Sequence, residues 1–445
     1  MKDLAFTLSA AFDRQLFWRG GGSVRYLVAR LKAERGAKAE TTERAPLNIA
    51  LVIDASGSMG GGKLEAAKAA ALGLVNRLTP RDHLTVVSFA SDVVVHLDAV
   101  GVTPDALIRI HAEISGLRTR GQTNLSDGWL AGIECAARAA KDRADLTPRV
   151  ILLSDGMANA GITDHTELFE HAGALRTRGV LTSTLGIGDD YDEHLLRGMA
   201  EHGGGRLHDA ELVAEIGSVL HGELDDILLT VIENAKLTLS APANVEVELL
   251  GSAAFRSEAD RTVVSVGSVQ DQIERIVVFK VTCPEADIFS HELEFNVTAE
   301  GRSAEDHGAL VAATPIKLSL TSAPGEVNVA QPRDDTLAAT VARMWSAHIA
   351  AEAATLNRDH AYREAQAYAE RQFHYFRRYV EGLAGAESLC DDLEVLVSRI
   401  GRRVSSRSSK EIYLQSKLTS ESRMDRRGAK PTVSEHLQND RSDKL

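Results

Sequence analysis

Cysteine is scarce in this chain. Cys135, Cys283 and Cys390 are the three among 445 residues, far apart and without a CxxC pair. Zinc-finger and RING-type ligand sets are therefore excluded. A sparse, odd count also fits a reducing compartment, and the cytoplasm is the expected location. Long apolar runs are missing too, none approaching the ~20 residues of a membrane-spanning helix. The opening stretch MKDLAFTLSAAFDRQLFW is broken by Asp13, Arg14 and Gln15, too early for the apolar region of a signal peptide. Nor is there an excess of positive charge. A net charge of −13 argues against non-specific nucleic-acid binding and against adhesion to an anionic membrane, because both need surplus Lys and Arg. No segment repeats with a period of ~20–50 residues, so solenoid and propeller arrays are not indicated.

What is present is ample material for a core. A content of 44% hydrophobic and 25% charged residues is that of a soluble globular protein, and this length implies two or three domains. Residues 1–45 hold LAFTLSA, the strand- or short-helix-like SVRYLVARLKA after Gly20-Gly21-Gly22, and a polar linker. From Leu47 the rhythm changes. LNIALVI (47–53) is apolar apart from Asn48, as expected of a strand buried on both faces. Helical stretches at 64–78, 104–116, 126–142, 164–178, 192–202 and 211–226 then alternate with strands at 83–89, 93–100, 149–155, 180–188 and 205–210. That alternation predicts an α/β domain over 46–226, with a doubly wound, mostly parallel sheet. Functional loops of such sheets lie beyond the C-terminal strand ends.

Between 227 and 322 the period shortens to two in KLTLSA, VEVELLG, TVVSVGS, ERIVVFKVTC, ELEFNVTAEG and PIKLSL, predicting an all-β sandwich. APGEVNVAQPRDD is expected to be a linker, with Asp335 or Thr336 capping the helical region that extends to 404. Tyr362, Tyr368, Phe373, Phe376 and Tyr379 form an aromatic stripe there, taken as packing rather than a binding face. Residues 399–445 carry 12 Lys/Arg against 6 Asp/Glu, and 405–445 is expected to be a basic, largely flexible tail with at most one short helix, KEIYLQSKL.

The loop after the first α/β strand, VIDASGSMGGGKLEAAKAAALGLV (52–75), supports two readings. From Gly57 it spells Gly-x-x-x-x-Gly-Lys, close to a phosphate-binding loop, and VILLSD imitates the acidic strand end that completes such a site. A P-loop, however, has Ser or Thr after its Lys to hold magnesium; here Lys63 precedes Leu64. From Asp54 it spells Asp-x-Ser-x-Ser, a set of oxygens suited to a bare divalent cation. Ser56 and Ser58 can turn both hydroxyls to one point, Asp54 supplies charge, and the glycines let the loop fold closely. Thr123 in RGQTNLSDG and Asp155 in LLSDG sit at loop or strand ends where they can add further oxygens. Magnesium wants near-octahedral oxygen ligation, with positions left to water or a partner. GxSxG is absent and GIGDDY (186–191) lacks the third glycine of a dinucleotide loop, so no nucleophile or dinucleotide signature competes.

DASGS, the Thr of GQTNLSDG and the Asp of LLSDG, in that order, resemble the von Willebrand factor type A (VWA) family and its metal-ion-dependent adhesion site. TLGIGDDYDEHLLRGMAEHGGGRLHDA is similar to the closing part of bacterial VWA domains. The resemblance covers about residues 46–226. It implies a metal set of Asp54, Ser56, Ser58, Thr123 and Asp155, with the hydroxyls as direct or switching ligands and the carboxylates acting largely through water. The whole layout is similar to soluble VWA proteins in which a β-sandwich and a helical region follow, and whose N-terminal segment contributes strands to the sandwich.

The expected function is a non-enzymatic, Mg²⁺- or Mn²⁺-dependent protein-binding module, in which an Asp or Glu of a protein partner completes the coordination. The alternatives are a P-loop-like nucleotide hydrolase using Gly57–Lys63, or a scaffold whose metal site is only structural. Oligomeric state is not readable from the chain.

Overall fold

The computed structural model of the chain describes residues 4–36, 45–142, 147–258, 260–286, 291–304, 306, 308–421 and 432–439. Two compact units divide it, one of residues 40–229 with 304–307, the other of 1–39, 230–303 and 308–445. Strands β1 (Ala5–Phe12), β2 (Leu16–Trp18) and β3 (Val24–Glu34) open the chain and belong to the second unit.

The first unit runs β4 (Leu47–Asp54), α1 (Lys63–Val75), β5 (His83–Phe89), β6 (Val93–Gly101), α2 (Pro104–Ser115), α3 (Leu125–Asp142), β7 (Thr147–Ser154), α4 (His165–Thr177), β8 (Leu181–Ile187), α5 (Glu193–His202), β9 (Gly204–Ala210) and α6 (Glu215–Leu229). Its strands lie in the order β6-β5-β4-β7-β8-β9. All neighbours are parallel except β5 and β6. The chain starts in the middle at β4, builds outward through β5 and β6, then returns to build the other half from β7. Strand order reverses beside β4, which opens a crevice at the C-terminal ends of β4 and β7.

Both faces of the sheet are covered, which explains why β4 is apolar throughout. Ile49, Leu51 and Ile53 pack with Leu64, Ala67 and Leu74 of α1, Ile110 of α2 and Leu220 of α6. Ala50 and Val52 point the other way, toward Trp129 of α3, Leu168 of α4 and Leu195 of α5. The carboxylate of Asp164 caps α4 by accepting the Glu167 N–H, and that of Asp192 caps α5 by accepting from Leu195. Helix α3 approaches the sheet through glycine: a Cβ on Gly132 would lie 2.4 Å from Val52 Cγ2, and one on Gly128 2.5 Å from Phe89 Cβ.

The second unit continues with β10 (Thr230–Ser240), β11 (Glu246–Leu250), β12 (Phe255–Glu258), β13 (Arg261–Gln270), β14 (Arg275–Thr282), β15 (Glu292–Ser303), β16 (Leu310–Ala312) and β17 (Ile316–Ala323). One sheet has the order β1-β3-β14-β11, the other β12-β13-β10-β15-β17-β2 with β16 on β15. Phe12, Phe17, Leu27, Leu237, Phe279 and Phe295 pack between them. SVRYLVARLKA is thus a strand, and Tyr26, Val28 and Val278 form its sheet's second apolar face. Helices α7 (Gly325–Ala330), α8 (Asp335–Arg358), α9 (Tyr362–Val380), α10 (Glu387–Ile400), α11 (Ser406–Ser420) and α12 (Val433–Asn439) follow. Trp345 of α8 and Phe376 of α9 pack with Tyr26, Val28 and Val278. The aromatic stripe of α9 serves this packing, Tyr379 meeting the rings of Tyr26 and Trp345.

Four expectations need correction. Residues 406–420 are not a flexible tail: they form α11, with Lys410, Glu411 and Ile412 buried. Charge there is consumed internally, Arg407 pairing with Glu411 at 3.0 Å, and Ser405 caps the helix by accepting from Ser408 N–H. Val433–Asn439 of the same stretch form a second helix, α12, and 422–431 and 440–445 lie outside the described residues. Part of the expected linker, Gly325–Ala330, is helical. The cap of α8 is Asp334, which accepts from Thr336 and Leu337 N–H, one residue before the expected position. The last helix of the first unit also starts and ends later than the apolar pattern implied, running from Glu215 to Leu229.

Gly132→Ala is expected to lower the unfolding free energy by about 1–3 kcal/mol, because the added methyl overpacks a stiff valine on a buried strand. Denaturant unfolding followed by far-UV circular dichroism measures it.

Candidate metal centre

The C-terminal end of β4 places Asp54 in the crevice with its side chain fully buried. Its Oδ1 accepts the Ser56 N–H at 2.8 Å, and its Oδ2 accepts the Ser154 hydroxyl at 2.6 Å. The chain then makes a one-turn 3₁₀ helix at Gly57–Met59 and passes through Gly61 and Gly62 at φ +66° and +98°. These left-handed positions suit glycine and let the loop turn into α1.

The two serines come together as their spacing implied. Ser58 Oγ donates to Asp155 Oδ1 at 2.7 Å, so the 2.9 Å contact between Ser56 and Ser58 has the Ser56 hydroxyl donating. Ser56 and Asp155 are buried, and Ser58 is exposed. Thr123 arrives on a separate loop held to the first by two main-chain bonds, Arg120 N–H to Ala55 O and Gly57 N–H to Gly121 O, and to the end of β5 by a third, Asn124 N–H to Ala90 O. Thr123 itself is clamped, giving its N–H to Asn159 Oδ1 at 2.9 Å while its carbonyl accepts the Asn159 N–H. A Cβ placed on Gly156 would lie 3.6 Å from Ser58 Oγ and 3.7 Å from Thr123 Oγ1. Both hydroxyls therefore flank one backbone position, at ordinary contact distance from where its Cβ would lie.

Three chain segments thus bring Asp54, Ser56, Ser58, Thr123 and Asp155 to one crevice. Every donor is oxygen, and the hydroxyls outnumber the carboxylates. Adjacent ligands of an octahedral Mg²⁺ at ~2.1 Å lie ~3 Å apart; the 2.9 and 2.7 Å spacings along Ser56, Ser58 and Asp155 are of that size. Among the described residues no cluster of three or more His, Cys, Asp or Glu could hold a metal. The donor set fits a hard dication.

Three supporting residues went unread in the sequence. Ser154 satisfies Asp54 and stands next to Asp155, yet serine at a strand end has no distinctive pattern. Asn159 orients Thr123 from a loop whose only sign was its place after LLSDG. Lys63, considered only within the phosphate-loop reading, puts Nζ 2.6 Å from Asp155 Oδ2.

The family model for the von Willebrand factor type A domain matches residues 48–219, and all five site positions lie within that span. The chain carries a VWA domain. Its VWA region is similar to an uncharacterized protein, sll0103, of Synechocystis, 33% identical over 178 residues that make up 40% of this chain and 41% of that one. It also resembles the inter-alpha-trypsin inhibitor heavy chain H3 of Rattus norvegicus, 33% identical over 162 residues, 35% of this chain and 18% of that protein. The match thus spans well under half the length of these curated relatives. Beyond the VWA domain the likeness is one of fold. A von Willebrand factor type A structure from Catenulispora acidiphila is 17% identical with TM-score 0.65, covering 95% of this chain and 97% of its own. The ArnB paralog VWA2 from Sulfolobus acidocaldarius is 16% identical with TM-score 0.58, covering 93% and 99%.

Burial raises the Asp54 carboxyl above the ordinary carboxylate range; hydrogen bonds from Ser154 and Ser56 oppose this, and the negative charge of Asp155 adds to it. A raised pKa means that the folded VWA domain binds the proton more tightly than the unfolded chain. Its contribution to stability is therefore fully present below the ordinary value of 3.8 and is lost as pH rises through the raised value. Asp13, in the other unit, is raised by burial as well, so the comparison needs a variant. In chelator, Asp54→Asn is expected to show a shallower fall of stability from weakly acidic to neutral pH than the wild type, read from denaturant midpoints across a pH series.

Proposed function

We propose that the VWA domain is a divalent-cation-dependent protein-binding module, taking Mg²⁺ or Mn²⁺ through Asp54, Ser56, Ser58, Thr123 and Asp155. The observation that carries this is the mixture of exposure. Asp54, Ser56, Thr123 and Asp155 are buried while Ser58 faces solvent, so the oxygens form a pocket floor with an open side. Neutral hydroxyls leave a bound dication incompletely neutralised, and the cation then supplies an electrophilic point for one more oxygen.

In this reading the chain's residues divide the labour. Ser154 and the Ser56 N–H hold Asp54, and Asn159 fixes the Thr123 loop. A carboxylate of a partner's Asp or Glu fills the open position. Met157, 63% exposed beside the site, and the loops 88–92 and 157–163 supply contact area around it. A single carboxylate contact gives modest affinity unless such a rim is engaged. No nucleophile or general base is needed, and the module is read as non-enzymatic. The three free cysteines support a cytoplasmic setting, and among the described residues no helix is long and apolar enough to cross a membrane.

Mg²⁺ or Mn²⁺ at about 100 times its Kd is expected to stabilise the protein by about 2.7 kcal/mol. Thermal melting of wild type, Asp54→Ala and the Ser56→Ala plus Ser58→Ala pair, with cation, chelator or ATP, checks it. A cation-induced rise in Tm lost in both variants and unmoved by ATP supports the module. A response to ATP in place of the cation favours the nucleotide hydrolase. Capture of a partner that survives both chelator and the serine pair assigns binding elsewhere and makes the metal site structural.

A further inference from the structure

The oxygen site has one neighbour that cation binding does not call for. Lys63 is the first residue of α1, and Gly62 before it provides no side-chain cap. The positive end of a helix dipole disfavours a cation there, so helix stability does not account for its placement. Its ammonium lies 2.6 Å from Asp155 Oδ2, while Oδ1 of the same carboxylate takes the Ser58 hydroxyl. The Asp155 side chain is fully buried and that of Lys63 is 26% exposed. A Cβ added to Gly188 would come within 3.7 Å of Nζ, so the backbone just beyond β8 runs close to the lysine. Among the described residues Lys63 is the cationic side chain within ion-pair distance of Asp155; Asp54 is met by Ser154 and by its own loop.

We propose that Lys63 is a built-in competitor for the cation, one that holds Asp155 while the site is empty and sets the charge of the loaded site. The inference rests on the cation-site reading above. Two carboxylates and one ammonium give the empty site a single net negative charge. A dication then leaves it with a single net positive charge, where without Lys63 it would be neutral. Lys63 thereby weakens cation capture and strengthens the attraction of the loaded site for an anionic side chain. It also supplies Asp155 with a counter-charge in the absence of metal, so the empty crevice does not leave a buried carboxylate unpaired. Lys63 acts through Asp155 and is a positioning residue.

The test is Mn²⁺ calorimetry on the full chain, comparing wild type with Lys63→Met, Lys63→Gln and Lys63→Arg. The neutral variants are expected to bind Mn²⁺ about tenfold more tightly, since a like charge a few ångströms away is removed, and Lys63→Arg to keep wild-type affinity. In EDTA the neutral variants should melt below wild type, and saturating Mn²⁺ should close that gap. A glutarate titration of the Mn²⁺-loaded proteins, followed by water-proton relaxation, should show weaker anion binding in the neutral variants. A purely structural lysine would lower the EDTA melt without tightening Mn²⁺. Wild type binding Mn²⁺ while Lys63→Met and Lys63→Gln bind it no more tightly overturns the inference and leaves the cation site standing. Failure of every protein to take up Mn²⁺ overturns the cation site, and the inference with it.

Discussion

Two buried carboxylates at the ends of neighbouring parallel strands constrain everything around them. Ile53 of β4 is in register with Leu153 of β7, so the next residues along, Asp54 and Ser154, face each other and hydrogen-bond. Asp155 follows one residue later. A carboxylate out of water is costly unless its oxygens are satisfied. The surrounding loops answer that requirement with Ser56, Ser58 and Ser154 hydroxyls or N–H groups and the ammonium of Lys63. The Ser56 and Ser58 hydroxyls among these donors are also the oxygens that the proposed reading assigns to a cation. In that reading, burial of charge and readiness for a cation are two aspects of one arrangement.

The position of that arrangement was legible because it follows from period and order. An apolar run such as LNIALVI has to be a two-sided strand, and strands alternating with helices bring their C-terminal ends to one edge. Asp54, Ser56 and Ser58 are fixed by local spacing, and Thr123, in the loop just before α3, and Asp155, at the tip of β7, lie where the alternation places both at the same edge. Ser154, Asn159 and Lys63 were not legible in these roles. Each acts through a contact set by strand register or by loop packing between distant segments, and a serine, an asparagine or a lysine in a loop carries no period of its own.

The C-terminal segment was misjudged for a related reason. Composition around α11 is basic and serine-rich, yet Lys410 and Glu411 are buried and Arg407 spends its charge on Glu411 one turn away. Residue counts register each charge and are silent on whether it is paired. The short strands β2, β12 and β16 were likewise missed, being too short for a period of two to emerge. The solved structures similar over nearly the whole chain share only about a sixth of its residues. Patterns of burial evidently preserve such a fold while the residues that fill them change.

The β-sandwich draws its strands from both sides of the VWA stretch in sequence. Val28 pairs with Val278, and Leu16 with Thr321, whereas every strand of the VWA sheet comes from the uninterrupted stretch between Leu47 and Ala210. β1 and β3 pair with each other, but the other edge of β3 is met only by β14 and β2 only by β17. During synthesis the VWA sheet is made before either of those partners, so one edge of the β1–β3 pair stays open until the latter half of the polypeptide appears. A nascent chain stalled or truncated before β14 would leave that edge as a sticky, orphaned ribbon.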